Sequence, residues 1–210
     1  MIPLFPNTCI GCGKITSTPL CCDCEQEWAT KHRQASKHFS QKGDEIFTCC
    51  QYNGLGGKII RSFKYGRRFD ALPIISTALS GVVIELGEDN FSYIIPVPQS
   101  LRKIFSRGFH PIEMIGHQVS QHTSIPVNVK ILKRKWSWLE KDQASLNKQN
   151  RLHNLSRSFY AIRNETWGKN LQVLLIDDVA TTGTTLFRCK EAVQKQYPDW
   201  KIKILVFAHG

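Results

Sequence analysis

No run of about 18 or more apolar residues occurs in the 210-residue chain, so no transmembrane helix is predicted. The opening stretch, MIPLFPNTCIGCG, has no basic region followed by an apolar core, so it does not read as a signal peptide. Internal repeats and low-complexity tracts are missing too, which argues against a repeat array or a disordered linker protein. Acidic residues are scarce: 17 Asp and Glu stand against 28 Lys and Arg, for a formal charge of +11. That excess favours polyanionic partners without choosing among them, since a phosphate-handling enzyme and a nucleic-acid binder would both carry it. The expectation is a cytoplasmic protein with one enzyme-sized domain and a small appendage.

The eight cysteines are not spread like a disulfide framework. Cys9, Cys12, Cys21 and Cys24 form a C-x2-C-x8-C-x2-C pattern. Two such knuckles at short range can present four thiolates to one tetrahedral zinc ion. Gly11 and Gly13 suit a backbone that must turn tightly and aim N–H groups at sulfur. A four-thiolate zinc site is net −2 and would trim the formal charge. Cys22 competes with Cys21 for the fourth place, and the alternative is a set of reduced cysteines in an irregular segment. Cys49, Cys50 and Cys189 lie in apolar patterns and are expected in the core.

Residues 173–185 read VLLIDDVATTGTT. Four apolar residues, 173–176, predict a buried strand that stops at Asp177 and Asp178. A small-residue turn, 181–185, follows, and a helical pattern starts near Leu186. Exposed N–H groups at the start of that helix attract an anion such as a phosphate. The acidic pair would repel a phosphate, so it must serve another part of the ligand. Sugar hydroxyls, or a magnesium ion held through them, are the natural candidates, and a phosphorylated ribose satisfies both halves. The competing explanation is an ordinary strand-turn-helix corner with a capping Asp or Thr.

This segment resembles the phosphoribosyl-pyrophosphate (PRPP) motif of type I phosphoribosyltransferases. The resemblance implies that Asp177 and Asp178 contact the ribose 2′- and 3′-hydroxyls. It implies that Ala180, Thr181, Thr182, Gly183, Thr184 and Thr185 hold the 5′-phosphate.

Elsewhere, strands are predicted at 45–52, 91–97, 127–132, 159–162 and 202–207, with helices from 55, from near Asp70 as a cap, and from Pro111. The polar stretch 29–43 reads as a helix or linker. Alternating strands and helices predict an α/β fold, a mainly parallel sheet with flanking helices of the type I phosphoribosyltransferase kind, plus a small N-terminal zinc-binding module. The division expected is 1–40 for the module and linker and 41–210 for the phosphoribosyltransferase-like domain. In such sheets ligands sit beyond the carboxyl ends of the strands.

Two further segments narrow the family. Residues 93–116 read YIIPVPQSLRKIFSRGFHPIEMIG, with Arg107-Gly108-Phe109 before a helix, and 143–159 read QASLNKQNRLHNLSRSF, containing Gln143, Leu146, Arg151, Asn154 and Phe159. With the N-terminal cysteines and Lys64-Tyr65-Gly66, this order resembles the ComF (ComFC-like) proteins of bacterial DNA uptake. That family joins a four-Cys zinc module to a phosphoribosyltransferase-like domain. One departure is His110, where the family usually has Asn after the RGF triplet; a helix-capping His is the simpler role for it.

The resemblance implies structural zinc, a PRPP ligand with magnesium, and Arg107 in a pyrophosphate loop spanning 97–108. Arg102 and Lys103 share that loop, Lys64 and Arg67 are weaker candidates, and Arg151 could belong to a closing lid. It also implies a role with single-stranded DNA, and possible partners among DNA-uptake helicases or recombination-loading proteins. Lys133, Arg134 and Lys135, beside Trp136 and Trp138, offer cations and rings for such a strand. Nothing in the sequence identifies an acceptor. Three readings therefore stand: a competence protein with a PRPP-type pocket, a salvage-type phosphoribosyltransferase acting on a small base, and a catalytically inert zinc-bearing adaptor.

Overall fold

A computed structural model describes residues 7–31, 37–41, 44–135 and 158–210. In chain order the elements are α1 (Cys22–Lys31), β1 (Lys37–Gln41), β2 (Asp44–Gln51), α2 (Leu55–Gly66), α3 (Leu72–Glu85) and β3 (Tyr93–Pro96). Then follow α4 (Leu101–Arg107), α5 (Pro111–Thr123), β4 (Leu132–Arg134), β5 (Phe159–Ala161), β6 (Gln172–Ala180), α6 (Thr184–Gln196) and β7 (Lys201–His209). The main sheet runs β1-β2-β7-β6-β3, parallel throughout except for the β1–β2 hairpin at its edge. β4 and β5 form a separate antiparallel ribbon.

Alternation along β6 explains why helices cover both faces. Leu174 and Ile176 join a core with Ile59 and Phe63 of α2, Ile75 and Leu79 of α3, and Ile112 and Ile115 of α5. Val173 and Leu175 face the other way, into a core with Leu186, Cys189 and Val193 of α6 and with Trp200. A strand with both faces buried reads as one apolar run, and that is why its period-2 signal is invisible in the sequence. Cys49 and Cys50 are buried in the first core and Cys189 in the second, as expected.

The cysteine-rich segment packs on the first core rather than standing clear of it. Cys9, Leu20 and Cys24 are buried there, and Trp28 of α1 stacks on Phe207 of β7 with ring centroids 5.8 Å apart.

Several local expectations are corrected. β6 does not stop at the carboxylates but continues through Asp177 and Asp178 to Ala180, because β7 keeps pairing with it as far as His209. The span 97–108 is not all loop: 101–107 forms α4, closed by Gly108 at φ 79. Asp70 does not cap α3; it accepts from Arg68 instead, at 2.6 Å. The expected strand at 127–132 reduces to a single bridge, Val127 to Ile94, with β4 starting at Leu132. The polar stretch 29–43 holds the end of α1 and all of β1.

Candidate functional site

The site lies at the carboxyl ends of β3 and β6, where chain direction and packing leave a cleft of about 340 Å³. Asp177, Asp178 and 180–185 line it, together with Lys64, Tyr65, Gln99, Lys103, Arg107 and Arg134 among others. The sequence-predicted acidic pair, loop and Arg107 therefore meet in one place.

The loop owes its shape to Gly183, which is buried and sits at φ 69 as the N-cap of α6. A side chain there would be strained whatever space surrounded it. The first helical bond runs from the Phe187 N–H to the Gly183 carbonyl, so the N–H groups before it have no helical carbonyl to meet, and that of Thr184 reaches only the Thr182 hydroxyl, at 3.5 Å. Thr182 and Thr184 hydroxyls lie 3.0 Å apart at the mouth of the cleft. An anion placed here would meet backbone N–H groups, hydroxyls and the positive end of a helix.

The two carboxylates have different surroundings because neighbouring residues of a strand point to opposite faces. Asp178 is on the α2 face and is buried; the Lys64 ammonium pairs with its Oδ2 at 2.9 Å, and Gln99 Nε2 reaches the same oxygen at 3.5 Å. Asp177 is half-buried, and its Oδ1 accepts from the Asp178 N–H at 2.8 Å. Burial, followed by the neighbouring Asp178 charge, pushes the Asp177 carboxyl up to about 8. Opposite the acidic pair, Arg107 donates to Gln99 Oε1 at 3.3 Å and to the Tyr65 hydroxyl at 3.2 Å, with its guanidinium over the Tyr65 ring.

The sequence offers Lys64 only as a weaker candidate, includes Tyr65 only within the Lys64-Tyr65-Gly66 element, and gives Gln99 no role. The signal for Gln99 was present: it follows the β3 carboxyl end, where ligands of parallel sheets bind. Lys64 carried no such signal, since a lysine near the end of an amphipathic helix is normally a solvated charge. Arg102 and Arg67 do not line the cleft; Arg67 donates to the Arg107 carbonyl at 3.3 Å. His110 holds the N-cap position of α5 but makes no side-chain capping bond, which corrects the simple capping role; its Nδ1 lies 3.4 Å from Glu113.

In the cysteine segment, Sγ atoms of Cys9, Cys12, Cys21 and Cys24 all lie within 4.8 Å of one another, while Cys22 is exposed at the start of α1 and outside the set. The Cys21 N–H points at Cys9 Sγ at 3.2 Å. Gly11 leaves no room for a side chain, since an added Cβ would sit 2.6 Å from Cys24 Sγ. Burial opposes ionisation of Cys9, but backbone N–H groups prevail and bring its thiol down to about 6. Burial and the neighbouring sulfurs push Cys24 up to about 12. Four crowded sulfurs cannot all ionise without a cation among them, and four-sulfur geometry at this separation fits zinc.

Of the basic run, Arg134 lines the cleft and stands over Phe159, its strand neighbour Lys133 falls on the other face, and Lys135 follows the strand, exposed. Trp136 and Trp138, with Gln143, Leu146, Arg151 and Asn154, lie outside the described residues. Phe159 is a buried core residue. Among the described residues no helix is long and apolar enough to cross a membrane.

No protein-family model matches the chain. It is 26% identical over 195 residues to competence protein F of Haemophilus influenzae, covering 89% of this chain and 84% of that protein. It is 24% identical over 184 residues to competence protein ComFC of Bacillus subtilis, covering 86% of this chain and 68% of that protein. Among solved structures, adenine phosphoribosyltransferase of Leishmania tarentolae is 14% identical with a TM-score of 0.44, covering 70% of this chain and 74% of that one. The likeness to ComF proteins thus extends over most of the chain.

Proposed function

We propose that this chain is a competence-associated, phosphoribosyltransferase-like protein that binds PRPP with its magnesium and assists uptake of single-stranded DNA. The observation that carries the binding half is the convergence of the acidic pair, the loop 181–185 and Arg107 on one cleft. The 5′-phosphate sits against the N–H groups at the start of α6, and the ribose hydroxyls face Asp177 and Asp178. Lys103 and Arg107, across the cleft, receive the pyrophosphate. A magnesium ion bound with the substrate would add charge neutralisation, beside Lys103 and Arg107.

A transfer reaction at this site would break the bond from ribose C1 to pyrophosphate and form one to a nucleophile. The protein's part is then positioning and electrostatics. Arg107 is held ready by Tyr65 and Gln99 and can turn toward a leaving anion with little reorganisation. The DNA half is supported by the likeness to two competence proteins and by the +11 charge.

Pyrophosphate release from magnesium–PRPP, measured with single-stranded DNA, with free bases and with no acceptor, tests this reading. Release dependent on DNA, or PRPP binding without turnover, fits it. Release only with free bases assigns the chain to salvage instead.

A further inference from the structure

One carboxylate of the acidic pair, Asp178, already has a counter-ion from within the protein. Lys64 pairs with Asp178 at 2.9 Å, and the two side chains are only 13% and 8% exposed. Lys64 is not free to drift away. The buried face of α2, with Ile59, Ile60 and Phe63, is fixed in the core. The helix is also tied at both ends to the cysteine segment, by Lys58 donating to the Gly11 carbonyl at 2.6 Å and Arg68 to the Thr8 carbonyl at 2.9 Å. The Tyr65 ring centroid lies 5.8 Å from the ammonium.

We infer that Lys64 is the fixed counter-ion of Asp178 and makes the acidic pair a hydroxyl site that rejects a free divalent cation. The proposal rests on the PRPP reading and deepens it. A metal ion bound to the Asp178 carboxylate would place two positive centres within a few ångströms in a poorly solvated site, where their repulsion is weakly screened. A sugar hydroxyl has no such conflict: it can donate to the carboxylate while accepting from the ammonium. The metal therefore comes in on the phosphates rather than waiting on the carboxylates. Removing Lys64 leaves a buried, unpaired carboxylate beside a second one, an oxygen site where a divalent cation can displace the shared proton.

The test is a gain of binding. Manganese ions are titrated into the full chain without PRPP, and the free-ion electron paramagnetic resonance signal is followed. Wild type is expected to take up no ion at the cleft. Lys64→Gln and Lys64→Met are expected to bind one manganese ion per chain at concentrations where wild type binds none, and Lys64→Gln combined with Asp178→Asn to lose it. Lys64→Arg, which keeps the charge, should exclude the ion as wild type does, and circular dichroism checks that each variant is folded. Stoichiometric binding to wild type that Asp178→Asn abolishes would overturn the proposal, as would folded Lys64→Gln and Lys64→Met variants that gain nothing. Because no PRPP is present, this outcome is separate from whether wild type binds PRPP, which calorimetry reads independently.

Discussion

The ammonium of Lys58, in the first turn of α2, donates to the Gly11 carbonyl at 2.6 Å and so ties the cysteine loop to the helix that carries Lys64 into the cleft. The four-sulfur cluster and the cleft are thus joined through one helix. Loss of metal should therefore be felt in α2 before it is felt in the distant α6.

Native protein is expected to carry one zinc ion per chain, held by Cys9, Cys12, Cys21 and Cys24. Elemental analysis should give a ratio near one for wild type and Cys22→Ser and near zero for Cys21→Ser. Structural zinc contributes on the order of 10–16 kcal/mol in small modules, so chelation should also speed amide exchange in the first turn of α2. Zinc retained by Cys21→Ser but lost by Cys22→Ser would reassign the fourth ligand.

Asp177→Asn should stabilise the fold at neutral and alkaline pH. The folded-state carboxyl is raised to about 8, so the wild-type fold resists its ionisation. Stability tied to this group is present below its unfolded value near 4 and is lost as pH rises toward 8. The variant has no such loss. Its advantage in urea melts should be near zero at pH 4 and grow to about 1–3 kcal/mol at pH 8, allowing for partial exposure. A constant difference across that range would mean the carboxyl titrates normally.

Single-stranded DNA should bind weakly, with little sequence preference, and lose affinity steeply with salt. The expected slope is about 0.7 log unit per log unit of salt for each phosphate contacted. Because β4 splits its cations, Lys133→Gln with Lys135→Gln should flatten the slope without touching PRPP affinity, whereas Arg134→Gln should affect the cleft. An unchanged slope in both variants removes this ribbon as a DNA track.

Much of this arrangement was legible in the sequence where local chemistry sets local structure. The knuckle spacing placed four sulfurs together, and VLLIDDVATTGTT placed a strand, a carboxylate pair and a helix start in order. What stayed hidden depends on partners far away in the chain. Lys64 is about a hundred residues from Asp178, and only the sheet order and the alternation of β6 bring them together. The extension of β6 past its acidic pair likewise depends on β7, and α4 is too short for periodicity to reveal.

The acidic pair and the Gly183 loop are expected to bind a phosphoribosyl ligand. Isothermal titration of magnesium–PRPP into wild type, Asp178→Ala and Gly183→Ala tests it most directly. Charge-assisted hydrogen bonds are worth roughly 1.5–3 kcal/mol, so Asp178→Ala should weaken binding by about ten- to a hundredfold. Gly183→Ala should weaken it too, because the loop backbone sits at φ 69. Equal affinity in wild type and both variants, or no heat from wild type at all, would contradict the account.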